Sequence, residues 1–113
     1  MADKPLIVLI GNDPFLEYLL ERYANQGGYS LNSIRTISPE VDICRMRPQS
    51  IWFSSLEVLE VFQPQINTLS TCSVPIVVCS STPDNARAVD LGADILLLHP
   101  LTYDCFLSTL SQV

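Results

Sequence analysis

The side chains of this sequence that offer chemistry are few: Asp13, Ser54, Ser80 and His99, with Gly11, Asn12, Ser55 and Ser81 beside them. A hydroxyl, an imidazole and a carboxylate are the parts of a nucleophile, a base and its orienter, so Ser54 or Ser55 with His99 and Asp13 is the hydrolytic reading. Phe53-Ser54-Ser55-Leu56 is no G-x-S-x-G elbow, however, and no glycine-rich turn supplies an oxyanion hole. A hard divalent cation prefers clustered carboxylates, and Asp13 next to a neutral Asn12 is a poor start for one. The turn Ile10-Gly11-Asn12-Asp13-Pro14 holds one glycine and a proline, which removes an amide that a phosphate needs, and lacks a dinucleotide fingerprint. No catalytic residue, no metal and no cofactor is therefore expected. A ligand-sensing or pH-sensing crevice around His99 remains as an alternative, since imidazole titrates near neutrality.

These residues stand at the ends of short apolar runs. Leu6 to Ile10 is too short for a helix and reads as a strand buried on both faces. Asp13 then offers a cap and Pro14 the first helical position, with Phe15, Leu16, Leu19, Leu20 and Tyr23 at helical spacing until Gly27-Gly28. Tyr29 to Ile37 is a weaker extended segment, and Ser38-Pro39-Glu40 opens a short helix carrying Val41, Ile43, Cys44 and Met46. Ile51 to Phe53 is a third strand, followed by a capping-box spacing at Ser54 and Glu57 and a helical face of Leu56, Leu59 and Phe62 that Pro64 divides. Pro75 to Cys79 is the fourth strand, and Thr82-Pro83-Asp84 opens a helix that Gly92 closes. Ile95 to Leu98 is the fifth, and Thr102 caps a last helix with Cys105, Phe106 and Leu110 inward.

Strands alternating with helices through short crossovers require a parallel sheet covered on both faces, a three-layer doubly wound α/β fold. In such sheets the crevice lies outside the carboxyl ends of the strands. Gly11, Asn12, Asp13, Ser54, Ser80 and His99 are thereby expected at one edge.

Composition limits the partners. With 113 residues, 48% of them hydrophobic, the chain can fill one core, so residues 1–113 are expected to form a single domain. Six basic against twelve acidic residues give a net charge of −6, which disfavours nucleic acid and anionic membrane surfaces alike. No apolar run is long enough to span a bilayer and the first residues do not form a signal peptide, so a cytoplasmic location is expected. Cys44, Cys72, Cys79 and Cys105 have no C-x-x-C pairing and no histidine at ligand spacing, and they are expected as small buried hydrophobes.

Taken together, the strand, acidic turn and proline at Ile10 to Pro14, the Pro48 to Ser54 and Pro75 to Ser80 strands, and Gly92-Ala93-Asp94 leading to His99-Pro100 resemble the receiver domain of bacterial two-component response regulators. The resemblance runs over the whole chain and implies a flavodoxin-like sheet of order 2-1-3-4-5. In that family an acidic pair after the first strand holds magnesium, an aspartate ending the third accepts a phosphoryl group, a hydroxyl ends the fourth, and a lysine precedes the proline after the fifth. Carried across, Gly11 and Asn12 fall at the acidic pair, Ser54 at the phosphoacceptor, Ser80 at the hydroxyl and His99 at the lysine. Only Ser80 fits. The family's aromatic switch position is matched by Leu96, and the resemblance is thus to a degenerate form, a pseudo-receiver.

The resemblance implies phosphorylation-independent signalling by protein association, with a histidine kinase, an output domain or a second copy as partner and a homodimer as the expected assembly. The fifth strand should lie at a sheet edge, without a charge to discourage a neighbour. Arg87, Asp90, Leu96, Leu98, Tyr103 and Leu107 are the candidate contacts on the face made by the fourth helix, fifth strand and fifth helix.

Overall fold

Leu6–Ile10 (β1), Ser30–Ile34 (β2), Ser50–Phe53 (β3), Ile76–Ser80 (β4) and Ile95–Leu98 (β5) form one parallel sheet of order β2-β1-β3-β4-β5. Helices α1 (Pro14–Gly27), α2 (Leu56–Val61), α3 (Gln63–Ser70), α4 (Asn85–Asp90) and α5 (Tyr103–Gln112) connect the strands and cover the sheet. The computed structural model describes residues 4–35, 43–70 and 73–112.

Side chains alternate across a strand, and here the alternation divides the core in two. Val8, Ile10, Ile51, Phe53, Ile76 and Val78 face Leu56 and Leu59 of α2, its C-cap residue Phe62, Leu69 of α3 and Ala88 of α4. Ile7, Leu9, Trp52, Val77 and Cys79 face Leu16, Leu20, Ala24, Phe106 and Leu110 of α1 and α5. Burial on both faces is why β1, β3 and β4 read as unbroken apolar runs. On the second face Phe106 gathers the aromatics, with ring centroids 5.7 Å from Tyr23, 5.7 Å from Trp52 and 6.1 Å from Tyr29. The Trp52 indole N–H, wholly buried, donates to Ser50 Oγ at 2.8 Å, which satisfies a donor that would otherwise be stranded in the core.

Local signals act where chain chemistry demands. Asp13 caps α1, its Oδ1 accepting from the Leu16 amide at 3.2 Å, with Pro14 opening the helix. Gly28 ends it in the left-handed region at φ 83°, its amide bonding the Ala24 carbonyl. The helical segment after β3 divides between Val61 and Gln63, with Pro64 in the first turn of α3 as the proline predicts.

Several expectations are corrected. The cap of α2 is Ser55, whose Oγ accepts from the Val58 amide at 3.1 Å; Ser54 is still strand-end backbone, its amide bonded to the Ile10 carbonyl at 3.0 Å. Phe15 is 89% exposed, because the inward stripe of α1 runs through Leu16, Leu20 and Ala24 and leaves its neighbour outside. Cys105 is exposed for the same reason, the inward positions of α5 being Phe106, Thr109 and Leu110. Cys44 is disulfide-bonded, which overturns the reading of all cysteines as packing groups. Of the helix expected from Ser38, only a 3₁₀ turn at Ile43–Met46 falls within the described residues; residues 38–42 and Cys72 lie outside them.

Candidate functional site

The carboxyl ends of β1, β3, β4 and β5 converge on a cleft of 310 Å³ lined by Asp13, Ser54, Ser80 and His99 among others. The sequence therefore brings together four of the residues expected there. Gly11 and Asn12 open instead onto a cavity of 470 Å³ on the α2 side, shared with Arg35, Val58 and Gln65. The strand-end residues are thus divided between two hollows.

Several polar side chains of the cleft have structural tasks, with Ser55 capping α2 as already described. Asp13, half-buried, spends Oδ1 on the helix cap. Ser80, buried, donates from Oγ to the Thr82 carbonyl at 2.9 Å and accepts from the Thr82 amide at 3.1 Å, closing its hydroxyl into its own turn. His99 is exposed, its amide donating to the Ser80 carbonyl at 2.9 Å, and its bond to Pro100 is cis. Ser54 is buried against Gly11: a Cβ built on that glycine would lie 1.9 Å from Ser54 Oγ and 2.6 Å from Ser54 Cβ. Gly11 also has φ 143°, a region that favours glycine. That fit is invisible in the sequence, where Gly11 reads only as a turn residue.

Cys79 borders the cleft from β4. Burial pushes its thiol up to about 12, and the nearby Asp13 charge adds to the shift. A thiol so shifted stays protonated at neutral pH and is a poor nucleophile or metal ligand. Among the described residues, no hydrogen bond joins Ser54 to His99 or His99 to Asp13, so the hydrolytic constellation shares a cleft without forming a relay.

His99 and Asp13 also line a groove of 430 Å³ between α1 and the turn after β5, together with Phe15, Leu16, Leu19, Pro100 and Leu101. The residues expected at an interface fall as follows. Asp90 is exposed and Leu98 is 47% exposed at the end of the edge strand. Arg87 pairs with Glu60 across α4 and α2. Leu96, Tyr103 and Leu107 are partly buried and pack on the two core clusters. Sequence reading missed Val89, 68% exposed on α4, and Tyr18, exposed on α1.

No family model matches the sequence, and no curated protein matches it. Solved structures do match. The chemotaxis protein CheY4 of Vibrio cholerae is similar at a TM-score of 0.70 and 15% identity, covering 97% of this chain and 98% of that one. A response regulator from Thermotoga maritima matches at a TM-score of 0.74 and 13% identity over 96% of each chain. The fold is that of a response-regulator receiver domain. The receiver domain of a modulated diguanylate cyclase from Desulfovibrio desulfuricans G20 shares it too, at a TM-score of 0.72, 16% identity and 97% and 93% coverage.

The magnesium ion that the receiver resemblance implies does not fit the residues present. Asp13 supplies the only carboxylate of the β1 turn and is already a cap, Asn12 is neutral, and position 11 has no room for a side chain. Among the described residues there is no group of three or more His, Cys, Asp or Glu side chains able to hold a metal.

Proposed function

We propose that this domain is a receiver-fold adaptor, a degenerate pseudo-receiver that acts in signal transduction by protein association without a phosphoryl switch. The observation that carries this reading is the carboxylate content of the cleft: the acids lining it are Asp13, already spent on the cap of α1, and the exposed Glu57, fewer than the acidic pair and phosphoacceptor that metal-assisted phosphoryl transfer uses in receivers. Among the described residues, no base is hydrogen-bonded to Ser54, at the end of β3, to activate it. A purely binding role, no enzyme activity and a cytoplasmic setting are part of the same proposal; among the described residues, no helix is long and apolar enough to cross a membrane.

The partner is a kinase, an output domain or a second copy, docked on the face of α4, β5 and α5. Support comes from Leu98 and Val89, apolar and exposed beside an edge strand that carries no charge between Ile95 and Leu98. Incubation with acetyl phosphate and magnesium should leave the mass and the amide NMR spectrum of the protein unchanged. An added phosphoryl group, above all on Asp13, overturns the proposal.

A second reading, a ligand-sensing crevice around His99, draws on the apolar groove that His99 shares with Phe15 and Leu19. Shifts of the His99 and Leu19 resonances on titration with small apolar compounds would favour it over the adaptor.

A further inference from the structure

From the hollow on the α2 side of the sheet we infer a binding site for a small zwitterion with an apolar body, the chemistry of a free amino acid or a dipeptide. The hollow measures 470 Å³, within the roughly 300–1,000 Å³ that small-molecule sites occupy. Buried Ile10 at the end of β1 supplies its inner wall, and Val58 and Val61 of α2 continue the apolar surface outward. Val61 is 78% exposed, off the buried face of α2 that Leu56 and Leu59 form, so the core makes no use of it. Two opposite charges share this wall: Arg35, just after β2, and Glu57, in the first turn of α2. Arg35 spends Nη2 on Glu17 at 3.4 Å, a long and exposed pair that leaves the other donors of its guanidinium for a carboxylate. Among the described residues, Glu57 has no cation paired with it, and the side chains of Asn12 and Gln65, at the same hollow, have no hydrogen-bond partner. A simple anion would meet the Glu57 carboxylate and a simple cation the Arg35 guanidinium. A molecule bearing both charges satisfies both groups and lays its apolar part on the two valines, with the two amides free to donate to its carboxylate or accept from its ammonium.

This site goes beyond the adaptor reading and does not depend on it. The test is an amide NMR titration of the full chain with L-leucine and with leucyl-leucine, set against 4-methylpentanoate and isopentylamine, which carry the same apolar body with one charge each. At least one zwitterion is expected to give saturable shifts at Asn12, Val58 and Val61, and to bind about tenfold or more tightly than either singly charged compound, each of which lacks one charge-assisted bond. Binding of the amino acid alone or of the dipeptide alone supports the site and fixes how far apart it holds the two charges. Arg35→Gln and Glu57→Gln alter exposed side chains and should leave the fold intact. Arg35→Gln is expected to weaken the zwitterion about tenfold or more but not the amine, and Glu57→Gln to weaken the zwitterion but not the acid. No saturable shift at the hollow with either zwitterion, equal affinity for all four compounds, or a zwitterion affinity that neither substitution changes overturns the site, as do shifts confined to Leu19 and His99. Phosphorylation of the unaltered chain would sink the adaptor reading and leave this titration untouched.

Discussion

The hydroxyl of Tyr23 donates to the carbonyl of Leu101 at 3.2 Å, joining α1 to the turn after β5 across 78 residues of chain. Tyr23 also lies 5.5 Å from Tyr103 and 5.7 Å from Phe106, so the bond fixes a ring already packed against α5. Tyr23→Phe keeps the ring and removes the donor, and it should cost about 1 kcal/mol of unfolding free energy, the usual net worth of such a bond. Urea unfolding measures the loss, and faster amide exchange from Leu101 to Tyr103 should accompany it.

Ser50→Ala should cost more than its size suggests. It strands the Trp52 indole N–H inside the second core cluster, and an unsatisfied buried donor costs about 1–3 kcal/mol. Adding Trp52→Phe removes the stranded donor, so the double variant should lose less than the sum of the two single losses. Additive losses would contradict the bond.

Among the described residues the free thiols Cys79 and Cys105 should separate by reactivity. Cys105 is exposed and should react with an aromatic disulfide reagent in the native protein, whereas buried Cys79 should react only when the chain unfolds. The pH dependence follows in sign. The folded state holds the Cys79 proton more tightly than the unfolded state, so this contribution to stability is complete below pH 9 and is lost as pH rises from 9.0 toward about 12. Stability of a Cys79→Ala variant should fall less steeply over that alkaline range than that of the unaltered chain.

How much of this could be read from the chain alone depends on which physical signal was in play. Strand positions, and with them the crevice at the strand ends, followed from apolar runs such as Leu6–Ile10 and Ile76–Ser80, because burial on both faces leaves an unbroken pattern, whereas the order 2-1-3-4-5 came with the receiver resemblance. Helix phase was harder. Phe15 and Cys105 sit one position from Leu16 and Phe106, and neighbouring helix residues point about 100° apart, so a one-residue error turns core into surface. The α2 cap moved from Ser54 to Ser55 because two serines stand in succession and only the backbone decides which leaves the strand. The Gly11 fit is a relation between positions 43 residues apart, and no local pattern carries it.

Arg87→Ala should change unfolding free energy by less than about 1 kcal/mol, since its pair with Glu60 is largely solvent-exposed. Leu98→Lys should likewise leave the fold intact, because the side chain ends an edge strand with nearly half its surface in water. In the adaptor reading that substitution should weaken association by about tenfold or more, as expected when an apolar contact worth about 1.4 kcal/mol is removed. Sedimentation across a concentration series, alone and with a candidate partner, reads the change; unaltered association places the contact elsewhere.

Trp52 is the chain's single tryptophan, and it lies fully buried with Phe106 of α5 5.7 Å away. The domain thus carries its own optical gauge of how tightly the terminal helix is seated: any event that lifts α5 from the sheet admits water to the indole and moves its emission to the red. Docking that leaves α5 in place should be spectrally silent, so one fluorescence scan can tell surface capture from reorganisation of the interior without a label.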